Sequence, residues 1–186
     1  MKRVIVLFVL ISLLSGCAKS RDSMDRALDM RKQIVECNNC TFDLCITADY
    51  VDYTYEFRLQ CEMDKEGCVA FSVIEPDSIS GIRGTISARG GELTFDEKVL
   101  MFPMMADGAL SPVSAPWLMM NALRSGYIKG VEELPNGMLL QIDDSFEGEN
   151  LQINITVDVN GLPAGAEVFW QERRVIIMIV ENFHIM

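Results

Sequence analysis

Histidine is nearly missing: His184 is the single imidazole in 186 residues. That leaves little means for multi-histidine metal sites or for histidine acid–base pairs. Cations are scarce as well, with 16 Lys and Arg against 27 Asp and Glu for a net charge of −11. The clustered positive charge that grips nucleic-acid phosphates is therefore absent, and nucleic acid is excluded as a partner. No low-complexity tract interrupts the chain, and 49% apolar with 23% charged residues describe a sequence that folds around a core. No Gly-x-Ser-x-Gly elbow accompanies His184, and Asp143, Asp144, Glu147 and Glu149 lack EF-hand spacing. Neither Gly81-Ile82-Arg83-Gly84 nor Arg89-Gly90-Gly91 sits in the strand–loop–helix setting of a phosphate loop. These absences assign no catalytic residue, no metal ligand and no dissociable cofactor, and the expectation is a protein that is not an enzyme.

What is present begins with an address. Lys2 and Arg3 precede an apolar run from Val4 to Leu14, the layout of an export signal and too short for a mature membrane span. The run ends in Leu14-Ser15-Gly16-Cys17, which resembles the lipobox of bacterial lipoprotein precursors. That resemblance implies cleavage after residue 16 and a diacylglycerol on Cys17, the only covalent group expected. Ala18 follows the cysteine and is not an aspartate-type retention signal. The chain then divides into a signal peptide 1–16, a lipidated tether 17–22 and a single domain 23–186. It would sit on the extracytoplasmic side of the cell membrane, anchored by lipid. Lys19, Arg21, Arg26, Arg31 and Lys32 follow the anchor closely. Basic residues there favour an anionic surface, while the acidic remainder is repelled from it.

Ser20 to Glu36 carries helical spacing through Met24, Ala27, Leu28, the Arg31 stem, Ile34 and Val35. From residue 41 the period is two. Phe42, Leu44 and Ile46 alternate with polar neighbours, and so do Tyr53, Tyr55, Phe57, Leu59 and Cys61, then Val69, Phe71 and Val73. Short strands are expected around 82–88, 92–95 and 98–101. A loop rich in Pro, Gly and Met follows at 103–113, and Pro116 opens a helix that Gly126 ends. Strands resume at 127–134, 138–143, 151–159, 167–171 and 175–180. The apolar run Val175–Val180 reads as a strand covered on both faces, with a helix over one of them.

This order resembles the Lol-type lipoprotein-carrier superfamily: a leading helix, a long meander and a mid-chain helix after a Pro-rich loop. The ending Asp158-Val159-Asn160-Gly161-Leu162-Pro163, with Glu167-Val168 and Glu181-Asn182-Phe183, resembles it too. The stretch from Val69 to Phe102 resembles clostridial lipoproteins of that superfamily, including spore-germination ones. The resemblance implies a strongly curved, incomplete antiparallel β-barrel whose apolar cavity accepts acyl chains in the transport members. The fold class is then mainly β (α+β), about eleven strands with an N-terminal helix and a plug helix. Curling a one-sided sheet around helix 116–124 buries both apolar surfaces, so the residues ask for the same geometry.

Methionine is abundant at 12 residues. Met101, Met104, Met105, Met119, Met120 and Met138 gather in the loop, the plug helix and the next strand. Flexible thioethers suit a surface that repacks around acyl chains, and plain core filling is the simpler reading of them. Met104, Met105, Trp117 and Met120 are the candidate ligand-binding residues. The expected partners are the membrane, through the anchor, and an acyl chain, a lipoprotein or an envelope protein. An alternative is a stabilising partner of a cell-wall or spore-cortex enzyme.

Five cysteines follow Cys17, an odd number. Cys37, Cys40, Cys61 and Cys68 are disulfide candidates in an oxidising compartment. They also number enough for a zinc site, which gives a thiol or zinc protein built on Cys37 and Cys40 as a further alternative. Cys61 falls with the inward set and Cys68 with the outward set, which favours disulfides over zinc.

Overall fold

The computed structural model describes residues 17–186 apart from 51, 97, 104, 107–108 and 147–148. Chain order is α1 (Cys17–Glu36), β1 (Asn39–Asp49), β2 (Thr54–Asp64), β3 (Val69–Glu75), β4 (Arg83–Ser87), β5 (Gly90–Phe95) and β6 (Lys98–Phe102). A small hairpin, β7 (Met105–Ala106) and β8 (Ala109–Leu110), leads into α2 (Ala115–Ser125). The last third is β9 (Tyr127–Leu134), β10 (Gly137–Phe146), β11 (Glu149–Val157), β12 (Pro163–Trp170) and β13 (Arg173–Ile185). No described helix is long and apolar enough to cross a membrane.

Eleven of these strands form one antiparallel sheet, ordered β6-β5-β4-β3-β2-β1-β13-β12-β11-β10-β9. Two meanders thus meet at its centre, where β1 pairs with β13 from Cys40 opposite Ile185 to Ala48 opposite Ile176. Register shifts at Thr41/Asp43, Arg58/Leu59, Gln141/Ile142, Thr156/Val157 and Val168/Phe169 put an irregularity in five of the ladders. Each adds local twist, and together they curl the sheet into an open barrel.

Period-two burial is cleanest in β1, where Cys40, Phe42, Leu44, Ile46 and Ala48 face inward. The concave side is filled by α2. Its Ala115, Pro116, Trp117, Leu118, Met119, Met120, Ala122 and Leu123 are all buried. The first half of α2 is apolar on every side and needs cover on every side, which the curled sheet and α1 supply, while Asn121, Arg124 and Ser125 leave its C-terminal half partly open. Each fully buried Leu or Met side chain stabilises the fold by about 1.5–3 kcal/mol relative to exposure.

Gly126 does end α2, its N–H donating to the Ala122 carbonyl at 3.0 Å, but with an ordinary φ of −63°. Glycine is required there by approach: a Cβ would collide with the Ile142 side chain and lie 2.8 Å from the Ala122 oxygen. In the Asp158–Leu162 turn the requirement is conformational, because Gly161 has φ of +81°.

Three expectations need correction. The buried stripe of α1 is Ser23, Ala27, Met30 and Ile34, while Leu28 and Val35 are exposed. These two point away from β9 and α2, the elements α1 packs against. Tyr53 and Tyr55 are exposed rather than buried, because Tyr53 precedes β2 and Tyr55 lies at its start, beyond the packed core. Finally, β13 is not covered on both faces: Ile179 is 56% exposed on the outer side. Both helices lie against the concave face, so among the described residues no helix lies over that strand outside.

The Asp158 carboxylate organises its turn by accepting the Asn160 and Leu162 backbone N–H groups, each at 2.9 Å. Partial burial works to raise its pKa, but the bonds from Leu162, Asn160 and Gly161 outweigh that and hold it below the ordinary carboxylate value. A lowered folded pKa stabilises fully above the unfolded value of about 3.9 and loses that contribution as pH falls through the folded pKa. Asp158→Ala is expected to cost about 1 kcal/mol at pH 7 and almost nothing at low pH. Urea midpoints of both proteins across the acid range check this, and a deficit that stayed constant with pH would contradict it.

Candidate binding site

Among the expected ligand-binding residues, the fold buries Trp117 and Met120 in the first half of α2. Met104 lies outside the described residues, and Met105 begins β7, its side chain outside the description. Among the described residues six buried methionines line the interior: Met30, Met63, Met119, Met120, Met138 and Met178. The concave side is thus occupied by the chain's own side chains around Trp117.

α2 is held in place at its C-terminal end. Arg31, on α1, donates from Nε to the Leu123 carbonyl at 2.7 Å and from Nη2 to Gly126 at 2.8 Å and Ala122 at 3.2 Å. One guanidinium therefore gives the Leu123 and Gly126 carbonyls a donor and adds a second to Ala122, which already accepts the Gly126 N–H, and its charge opposes the dipole there. Burial lowers the Arg31 pKa from its ordinary value. Sequence reasoning placed Arg31 on the helix face by its stem and missed this cap, because no spacing rule connects residues so far apart. At the other end of α1, Ser23 and Arg26 both donate to Glu133 of β9, at 2.8 and 3.1 Å.

Among the described residues, half-open grooves cross the outer face of the sheet and another runs between α1 and the turns at Gly137 and Gly161, and neither Trp117 nor Met120 lines these. One, of about 620 Å³, crosses β13, β1, β2, β3, β4 and β5 over Asp43, Glu62, Arg83, Glu92 and His184. Another, of about 700 Å³, has Phe57, Pro76, Ile177 and Ile179 in its wall.

The cysteines separate. Cys17 is the first residue of α1. Cys37 donates its Sγ–H to the Ile34 carbonyl at 3.1 Å and neighbours Cys40. Cys61 stands opposite Phe71, whereas Cys68 lies in the turn before β3. All five thiols from Cys37 to Cys68 are unbridged in this structure. Among the described residues no three His, Cys, Asp or Glu side chains lie close enough to hold a metal. Burial pushes the Cys40 thiol up to about 12, with Cys37 adding to the shift and the Arg124 charge opposing it. Burial also raises Cys61, with Asp43 contributing. Alkylation of the reduced native protein at pH 8 is therefore expected at half-buried Cys45 well before Cys37, Cys40 or Cys61. Peptide mapping after iodoacetamide reads this out, and fast native labelling of Cys40 would overturn the packing described here.

Near the open end of β10, Asp143 pairs with Lys129 at 3.6 Å and Asp144 accepts a bond from Asn121 at 3.0 Å. These acids belong to local contacts of the fold.

No protein-family model matches the chain, and no curated protein does. Solved structures do. A domain assigned to outer membrane lipoprotein sorting from Vibrio parahaemolyticus aligns with a TM-score of 0.51 at 8% identity, covering 90% of this chain and 93% of its own. A conserved protein from Thermus thermophilus aligns at 0.49 and 12% identity, covering 88% of each chain. A LolA superfamily protein from Nitrosomonas europaea aligns at 0.48 and 9%, covering 86% and 93%. With eleven antiparallel strands curled around a plug helix, this chain shares the fold of the Vibrio domain.

Proposed function

We propose that this protein is an extracytoplasmic lipoprotein, anchored through a diacylglycerol on Cys17, that works by non-covalent binding of an envelope protein. The observation that supports this reading most is the filled concave side. Trp117, Leu118, Met119 and Met120 are buried there among the chain's own strands. An acyl chain would have to displace them, at several kcal/mol, before it gained its own burial. A protein partner on the outer surface displaces nothing.

A second reading, binding of an acyl chain in the interior, is favoured by the six buried methionines, whose flexible side chains repack at low cost. Candidate contacts for it are Met104, Met105, Trp117 and Met120. The two readings separate in one titration. In a Trp170→Phe background Trp117 is the only tryptophan left. We expect no saturable change in its fluorescence on adding cis-parinaric acid. We also expect native mass spectrometry of the domain, purified gently from its envelope, to find a second polypeptide and no lipid. Saturable quenching together with a co-purified lipid of defined mass would replace the first reading with the second.

A further inference from the structure

An antiparallel sheet that does not close has two edges, each a row of backbone groups without ladder partners. Here the edges are β9 and β6. The β9 edge has α1 packed against it, bonded through Ser23 and Arg26 to Glu133 and through Arg31 to Gly126. No described strand pairs with β6 on its outer side. Its Val99, Leu100 and Met101 are 60%, 64% and 67% exposed, so apolar side chains stand free on both faces of the strand. Edges are ordinarily blunted with several charges, a bulge or an internal proline. Within its five residues β6 offers only Lys98, and its pairing with β5 runs without a shift from Gly91–Phe102 to Phe95–Lys98.

The strand next to this edge presents an acid, Glu92. On the outer face Met101 stands opposite Glu92 and Val99 opposite Thr94. The polar groove follows, with Glu62, Glu92 and Asp43 against Arg83. A long cationic side chain on an added strand could lay its methylene stem over Met101 and bring its charged head to Glu92. On the other face an apolar side chain would cover Leu100.

We propose that β6 is a docking edge that accepts an extended segment of an envelope protein as a twelfth strand, one that alternates basic and apolar residues. The proposal deepens the envelope-protein reading above and rests on it. A second copy of this chain does not fit: it brings a net charge of −11 against −11, and its own β6 would set Val99 or Met101, not a cation, beside Glu92. The partner's chemistry is therefore a cationic, strand-forming segment.

The test uses the chain in phosphatidylcholine nanodiscs, with empty discs as the blank, and two fluorescent synthetic peptides that alternate valine with lysine or valine with glutamate. The valine–lysine peptide is expected to bind saturably and at least roughly tenfold more tightly than the valine–glutamate one. Glu92→Lys should weaken it by a similar factor and improve the valine–glutamate peptide. Leu100→Lys should weaken both, with circular dichroism and Tm confirming that each variant is folded. Equal binding of the two peptides, no binding of either, or indifference to Glu92→Lys overturns the proposal. So does a dimer in sedimentation that Leu100→Lys disperses, which would make the occupant a second copy. A polypeptide still found by native mass spectrometry after such a failure leaves the envelope-protein reading standing, whereas a bound lipid there removes that reading itself.

Discussion

Met120→Ala should lower the unfolding free energy by about 2–5 kcal/mol, the range for a buried Leu, Ile or Met truncated to Ala. Met120 is fully inaccessible, in the half of α2 enclosed on every side, so surrounding groups have little freedom to collapse into the space. Its exposed counterpart sharpens the expectation. Met101, on the free edge, should tolerate alanine within about 0.5 kcal/mol. The two variants carry the same chemical change and differ only in burial. Urea unfolding of both checks the contrast, and equal midpoints would mean that α2 does not fill the concave side in solution. For a domain whose total stability is about 5–15 kcal/mol, the Met120 loss alone comes close to the margin.

Arg31→Ala is expected to cost about 2–3 kcal/mol for a different reason. It removes no core volume but leaves the Ala122, Leu123 and Gly126 carbonyls without their charged donor. Arg31→Lys should recover only part of the loss, because one ammonium keeps the charge near the helix end but cannot bond three carbonyls with a planar fork. The measurement is the midpoint of chemical denaturation with an unchanged slope. If lysine restored wild-type stability, charge alone would be the cause and the geometry of the cap would not matter. Since Arg31 ties α1 to α2, the variant also shows whether the plug can loosen. In Arg31→Ala, Trp117 should become more accessible to acrylamide before the sheet unfolds.

Much of this architecture was open to reading along the chain. Strict alternation placed β1, the inner half of β2, and β11, because a half-buried strand writes its face into successive residues. Pro116 and Gly126 marked both ends of α2. The resemblance carried by Asp158 to Pro163 led to a turn whose carboxylate and glycine do hold it. Readings failed where burial depends on what lies opposite. Val175 to Val180 has no period, so it suggested two covered faces, yet no described helix reaches its outer side. Leu28 and Val35 sit at helical spacing but beside no neighbour. The candidate site shows the same division. Trp117 and Met120 could be singled out by residue type, whereas Arg31 could not, since its partners lie about ninety residues away.

By itself the sequence determined composition-level and local properties. These are the scarcity of histidine and of cations, the apolar run that ends before Cys17, the strand and helix periods, and the turns at Gly126 and Asp158. Each is set by side-chain chemistry or by backbone preference within a few residues. Tertiary structure alone decided the order of strands, and with it which two became edges. Alternation says that Val99 and Leu100 point to opposite faces, but it cannot say that no strand lies beyond them. That depends on β1 joining β13, on α1 covering β9, and on a sheet that curls without closing, all of which are set by contacts between distant segments.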